Sequence, residues 1–563
     1  MGRSQSFSDI YLMILLRILI LTFLFWAGVI AFGQPCDTIL NPSPKNTLVV
    51  KASQMPAIGP GSTICLKAGK YFNMRFEGLR GTEEQPVIIR PFGGEVIIDT
   101  TSPYGIKLSG CSFIKMDGWD DGQRKIRILK TKGVGISIDD RSTDVEIAWT
   151  EIANTGLSGI VAKTDPDCSF SSTRDSFLMK NIVIRDNFLH DIGLEGMYIG
   201  SSYFTGRTIQ CGGKDTTVLP HVNQNVHIFN NFIFKTGYDG MQVSSTVNDC
   251  FIHDNTIWYD SQLKQPGQMS GIIVGAGNVL ECYNNTIING AGHGIEIHSQ
   301  GGRVYNNVIV NNGRSYRPNT QGVYAKPGIF VGYNLYNPQN LPYRFYHNTI
   351  YRPKSEGIKF SNANSGLNEF INNTIVDPGI WKFYDSLNVP IERSYLNIDP
   401  GIAYIAKTNY FTRDTVAVKF VNSSAFNLMP TAASPLVDAG TDLQNQGIMF
   451  DRNNAPRPLG KTYDIGAYEY FPQQGLQDTF SDISFPVLYE TKTRQLFIRL
   501  NPDFAVLRIE IYNMAGKKVF EQSITDNKTG LYLVPAGNIA ESPLFYRLEG
   551  YKEARTGKVG LIH

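Results

Sequence analysis

The sequence predicts an all-β chain, a parallel β-helix followed by a small antiparallel β-sandwich, on three observations. Asparagines recur with an aliphatic residue two positions later: Asn187-Phe-Leu, Asn231-Phe-Ile, Asn255-Thr-Ile, Asn285-Thr-Ile, Asn307-Val-Ile, Asn348-Thr-Ile and Asn373-Thr-Ile. The intervals are 44, 24, 30, 22, 41 and 25 residues, so the short ones share a unit of roughly 22–25 residues, within the period range of solenoids. Gly196, Gly240, Gly294 and Gly357 each follow an asparagine by nine positions, and Gly271 and Gly328 carry the same Gly-Ile step after insertions. A fixed core with variable inserts is what stacked coils produce, because only the core touches its neighbours. The third observation is alternation at period two, in Val226-His-Ile228 before the asparagine and Met241-Gln-Val243 or Ile295-Glu-Ile297 after the glycine, which means strands. Each unit reads as strand, asparagine turn, short strand, turn, glycine-led strand. The asparagine tolerates left-handed backbone geometry and can bond its amide to the next rung's equivalent.

Residues 1–33 read as a signal peptide. Arg3 and Arg17 flank a polar-then-apolar start, Ile18 to Ile30 is almost wholly apolar, and Ala31-Phe-Gly33 offers small residues for cleavage. An uncleaved anchor is the other reading, and Pro35 before Cys36 argues against a lipoprotein. The expected location is therefore secreted or cell surface, by export through the periplasm. Seven cysteines follow, an odd number, so at least one is unpaired. Cys250 and Cys282 fall at inward strand positions, as small core residues do. Cys168 and Cys211 lie in polar inserts on either side of one coil and are the expected disulfide.

The 52 Lys and Arg against 50 Asp and Glu give a formal charge of +2, which supplies no general attraction to nucleic acid. No nucleic-acid partner is expected, and a monomer is.

Residues 34–110 are expected to form an N-terminal cap and the first coils, and 111–400 the repeats. Gly61-Ser-Thr-Ile-Cys-Leu-Lys-Ala-Gly-Lys-Tyr71 and Gly81-Thr-Glu-Glu-Gln-Pro-Val-Ile-Ile89 resemble the opening coil of secreted right-handed β-helix polysaccharide lyases. That resemblance implies right-handed winding and a covered end. Ser434-Pro-Leu-Val-Asp-Ala-Gly440, Asp451-Arg452, Arg457-Pro458 and Asp464-Ile-Gly-Ala-Tyr-Glu469 resemble the closing module that follows such repeats in secreted bacterial proteins, placing a cap at 401–474. Residues 475–563 read as short strands joined by turns. Ile511-Tyr-Asn-Met-Ala-Gly-Lys-Lys-Val519 and Gly557-Lys-Val559 resemble the carboxy-terminal sorting domain of the type nine secretion system, which implies that secretion machinery as a partner. A carbohydrate-binding sandwich is the alternative there.

A solenoid wall is repetitive, so function is expected where the inserts 163–180, 200–224, 259–269, 312–327 and 332–343 rise beside the glycine-led strands. Tyr198, Gln242, Ile273, Glu296, Phe330 and Lys359 stand two past the glycine, and Glu195, Asp239, Ser270 and His293 immediately before it. Neighbouring carboxylates raise one another's pKa or hold a cation, so Glu195 and Asp239 are expected to bind a metal such as Ca²⁺. His293 and His298 are expected as proton-transfer groups with Glu296 orienting one of them, and Lys359, Arg317, Tyr198 and Gln242 as substrate contacts. Such a groove suits an acidic polysaccharide. Two classes stay open: a uronan lyase-like enzyme, and a non-catalytic carbohydrate-binding or adhesive protein. Gly292-His-Gly-Ile295 also resembles a step of polygalacturonase-type hydrolases, but Ser270-Gly271 stands where those enzymes carry aspartates.

Overall fold

The computed structural model describes residues 36–120, 123–313, 326–333, 335–379 and 393–470, and strand segments between 488 and 562. The expected signal peptide and Arg317 lie outside these residues. Most of the described chain is a parallel β-helix with three strands per coil. One coil runs Val222–Phe229, Phe232–Thr236 and Met241–Val243; the next runs Thr246–His253, Thr256–Trp258 and Ser270–Val274. Their pairings are parallel and in register, with Val226 beside Cys250, Ile233 beside Ile257 and Met241 beside Ile272. Inward side chains such as Ile228, Ile233, Val243, Ile252 and Ile257 are fully buried, filling one continuous apolar column. Cys250 and Cys282 sit in that column, unpaired.

The seven asparagines stack. Asn231 donates from its backbone and its Nδ2 to Asn255 Oδ1 at 3.1 and 3.0 Å. Asn255, Asn285, Asn307 and Asn348 each do the same to the next ladder asparagine. Thr150 begins the ladder and Asn409 ends it. The left-handed position is not the ladder asparagine itself but the residue before it. Asp186, Asn230, Asp254, Asn284, Asn306, His347 and Asn372 have φ between 53 and 58°. That kink turns the asparagine side chain inward, where each amide meets the next rung.

The recurring glycine has a steric cause. A Cβ on Gly240 would lie 2.4 Å from the Gly271 carbonyl oxygen and 2.5 Å from Ile257 Cγ2. The glycine-led strands therefore approach the second leg of the coil more closely than any side chain permits, and they lie within a twelve-stranded parallel sheet that runs from Thr47–Lys51 to Leu396–Ile398.

Disulfides join Cys168 to Cys211, as expected, and Cys36 to Cys65 across the first coils. The segment expected to close the solenoid runs back along its flank. Arg452 donates to Thr286 Oγ1 at 2.8 Å, Asn306 to the Phe450 carbonyl at 2.8 Å, and Ala467 N–H to Thr349 Oγ1 at 2.9 Å. Fully buried Arg457 holds the segment together, reaching Glu469 at 2.5 Å and the Gly466 carbonyl at 2.8 Å. Its Asp and Arg residues are thus internal fastenings. The carboxy-terminal strands form a seven-stranded sheet system in which Gln495–Leu500 pairs antiparallel with Gly530–Pro535. Among the described residues no helix is long and apolar enough to cross a membrane.

Candidate functional site

The glycine-led sheet is the floor of the site. Its outward column is continuous, with Tyr198, Gln242, Ile273, Glu296, Phe330, Lys359 and Asn397 each beside the next. Insert 259–269 rises before the glycine-led strands; inserts 163–180, 200–224 and 332–343 rise after them. The floor is therefore flanked by inserts at both ends of its strands.

Glu195 and Asp239 occupy adjacent rungs, joined by the Gly196 N–H to the Asp239 carbonyl at 3.0 Å. Both side chains are buried. Glu195 accepts the Ser158 hydroxyl at 2.8 Å, and Asp239 accepts the Ser270 N–H at 2.8 Å. The Gln268 amide lies between them, and with its nitrogen turned to the carboxylates it donates to Glu195 Oε1 at 3.2 Å and Asp239 Oδ2 at 3.0 Å. Burial, with the charges of Glu296 and Glu195 adding to it, pushes the Asp239 carboxyl well above its ordinary range. Among the described residues no three His, Cys, Asp or Glu side chains converge as a metal cage.

Glu296 links this pair to His298. Its Oε2 accepts the Ser270 hydroxyl at 2.6 Å, and its Oε1 meets His298 Nε2 at 2.9 Å. Burial opposes ionisation of Glu296, but the His298 hydrogen bond and the neighbouring imidazoles outweigh it and hold the carboxyl down at about 2. An ionised Glu296 accepts, so Nε2 carries the proton and Nδ1 of His298 is left as an acceptor. The His298 side chain is 36% exposed. Its Nδ1 faces Gly332, where a Cβ would lie 3.0 Å away.

His293 is differently placed. It is buried, its ring stacks on Phe330 with centroids 5.1 Å apart, and its Nδ1 has no hydrogen-bond partner. Burial, reinforced by the Lys326 charge, lowers its pKa to about 3. His293, expected as a proton-transfer group, is thus a buried, neutral imidazole. Burial lowers the Lys326 ammonium below its ordinary value, against the opposing pull of Glu296, Asp239 and Asp260.

The expected substrate contacts are mostly occupied within the protein. Lys359 pairs with Asp399 and reaches Asn397 Oδ1 at 3.3 Å. Gln242 is only 5% exposed, so it lies beneath the surface of the groove. Tyr198 is half-buried under Lys163, whose Nζ stands 4.7 Å from the ring centroid. The sequence reading missed Gln268 and Asp260, which insert 259–269 carries inward. An insert's length signals its presence, but nothing in it signals which side chain turns to the floor.

A family model described as a right handed beta helix region matches residues 221–375, which gives the winding its hand. No curated protein matches the sequence. Among solved structures, the chain is similar to an alginate lyase from Paenibacillus sp. str. FPU-7, at 14% identity over 65% of this chain and 98% of that one, with a TM-score of 0.33. It is also similar to the GH136 lacto-N-biosidase from Eubacterium ramulus, at 11% identity over 65% and 68% of the two chains and a TM-score of 0.43. A third is pectate lyase Pel9A, at 15% identity over 76% and 97% of the two chains and a TM-score of 0.38.

Proposed function

We propose that this chain is an exported β-helix protein that acts on an acidic polysaccharide as a uronan lyase, with His298 as the base. The observation that carries the reading is the Glu296–His298 pair, in which a low-pKa carboxylate fixes the tautomer of a half-open imidazole at the floor of a walled groove. Nδ1 of His298 removes the proton on the carbon α to the uronate carboxyl. The electron pair left behind forms the new carbon–carbon double bond, the glycosidic carbon–oxygen bond breaks, and the leaving oxygen takes a proton from water. Lys326 lies near Glu296 and would balance charge as it grows.

A cation such as Ca²⁺ belongs to this proposal. Turning the Gln268 amide so that its oxygen faces Glu195 and Asp239 would bring three oxygens together, a donor set suited to a hard cation. Glu195, Asp239 and Gln268 would hold it, and its chemistry would be to neutralise a substrate carboxylate.

The test is incubation with alginate, pectate and chondroitin while following the ultraviolet absorbance of an unsaturated product. Absorbance that disappears in His298→Ala supports the lyase. The engagement of Lys359 by Asp399 favours the second reading, a binding or adhesive protein. Binding without absorbance or new reducing ends would establish that one instead.

A further inference from the structure

Beside the floor stands a wall that the lyase reading does not use. Insert 200–224 contains an antiparallel ribbon, Arg207–Cys211 with Lys214–Val218, and the Cys168–Cys211 disulfide ties it to insert 163–180. The base of the wall is fixed to the solenoid. Ser245 Oγ donates to the Ser201 carbonyl at 2.6 Å, and Phe204 lies against Gly277, where a Cβ would stand 2.3 Å from the ring. Phe204 then meets Tyr336 of insert 332–343, with ring centroids 5.4 Å apart.

That contact closes a gap along the solenoid. Phe204 follows the rung of Tyr198 and Tyr336 follows the rung of Phe330, four rungs on. At about 4.8 Å per rung the inserts bridge roughly 19 Å. The rung of Glu296 and His298 lies inside that span, so a chain laid along the floor meets both the wall and His298.

The chemistry of the wall is aromatic and cationic together. Tyr203 and Tyr336 are 54% and 47% exposed, although large aromatic rings are usually covered. Arg207 stands 5.3 Å from the Tyr203 ring centroid and Arg174 4.3 Å from that of Phe204. Of the carboxylates here, Asp165 is shared by Lys163 at 3.1 Å and Arg207 at 3.3 Å, and Asp175 acts on Arg174. The shared pairing engages one Arg207 nitrogen. A pyranose ring offers a C–H face to a tyrosine, and its carboxylate offers two oxygens to a guanidinium.

We propose that Tyr203, Arg207 and Tyr336 form a binding subsite for a uronate residue of the same acidic chain, distinct from the one at His298. The inference rests on the acidic-polysaccharide reading and adds to it a disulfide-braced subsite that sets affinity rather than rate.

The experiment measures binding of full-length protein to the uronan that wild type binds best, alongside a neutral glucan. Tyr203→Ala, Arg207→Ala and Tyr336→Ala are expected to weaken uronan binding about fivefold to tenfold each. On a substrate that is cleaved, KM rises in proportion and kcat stays unchanged. A Cys168→Ser, Cys211→Ser double variant with unaltered melting of the solenoid is expected to show the same loss. Uronan binding that is equal in wild type and all three single variants overturns the subsite and leaves the proposed function standing. Absence of any uronan binding by wild type overturns both. A fall in kcat with KM unchanged assigns these residues to the chemistry and also overturns the subsite.

Discussion

Glu296, on the strand His293–Ile297, and His298, the residue just past its end, share a 2.9 Å hydrogen bond, although extended backbone points two such side chains to the same face without placing them in contact. The Ser270 hydroxyl, 2.6 Å away on the neighbouring rung, holds the other carboxylate oxygen and so aims the first at the imidazole. His298→Ala is expected to lower uronan cleavage by about 10²–10⁴, the usual worth of a positioned proton-transfer group. Glu296→Gln is expected to lower kcat by less, because an amide still bonds Nε2 but no longer fixes which nitrogen carries the proton. Steady-state kinetics on both variants, with melting temperatures near wild type, checks this. Unchanged activity in His298→Ala would remove the assignment.

The asparagine ladder makes a stability prediction. Asn285 accepts two bonds from Asn255 and donates two to Asn307, all in the interior. Asn285→Leu leaves buried backbone and amide groups without partners and is expected to cost on the order of 1–3 kcal/mol. Denaturant unfolding measures it, and a loss below about 0.5 kcal/mol would contradict the ladder's role.

Asp239 makes stability depend on pH. Its carboxyl is raised in the folded state, by burial first and then by Glu296 and Glu195, so the fold binds its proton more tightly than the unfolded chain does. Its contribution is complete below the unfolded value near pH 3.9 and is lost as pH rises through the folded value. Asp239→Asn removes that loss. The melting temperature of wild type is therefore expected to fall relative to Asp239→Asn as pH rises, a difference read directly by thermal scans. A wild type that gained on the variant with rising pH would mean that a partner holds the ionised carboxylate, and added Ca²⁺ would then raise its melting temperature.

Export is the fourth expectation. Removal of residues from 475 onward is expected to leave the protein in the periplasm, because the sorting-domain resemblance lies wholly in that segment. Fractionation of cells expressing the truncated chain checks it. Appearance of the truncated protein at the surface or in the medium would defeat the sorting reading.

The features legible in the sequence are those that each coil must repeat. Asn231, Asn255 and Asn285 recur because one inward amide must meet the next, and Gly240, Gly271 and Gly294 because the legs of the coil touch there. The one-residue error in the left-handed position arose because Asn230, Asn284, Asn306 and Asn372 are themselves asparagines, so composition could not separate the kink from the ladder. The site was legible as a face but not as a set of contacts. The bond between Lys359 and Asp399 and the insertion of Gln268 between two carboxylates depend on how inserts return to the floor. The ring contact of Phe204 with Tyr336 joins residues 132 positions apart with no repeat linking them. Cys36 and Cys65 lacked a repeated spacing for the same reason.

The flank segment gives the solenoid a fixed length. Stacked coils ordinarily tolerate gain or loss of a unit, since each touches only its neighbours. Here residues 450–467 grip Thr286, Asn306 and Thr349 at set positions, as a ruler does. A coil added or deleted between those rungs would pull every later contact out of register by one step. The coils that carry His298 are thereby bound into a single cooperative block, and evolution can vary this molecule by lengthening its inserts far more readily than by changing its count of turns.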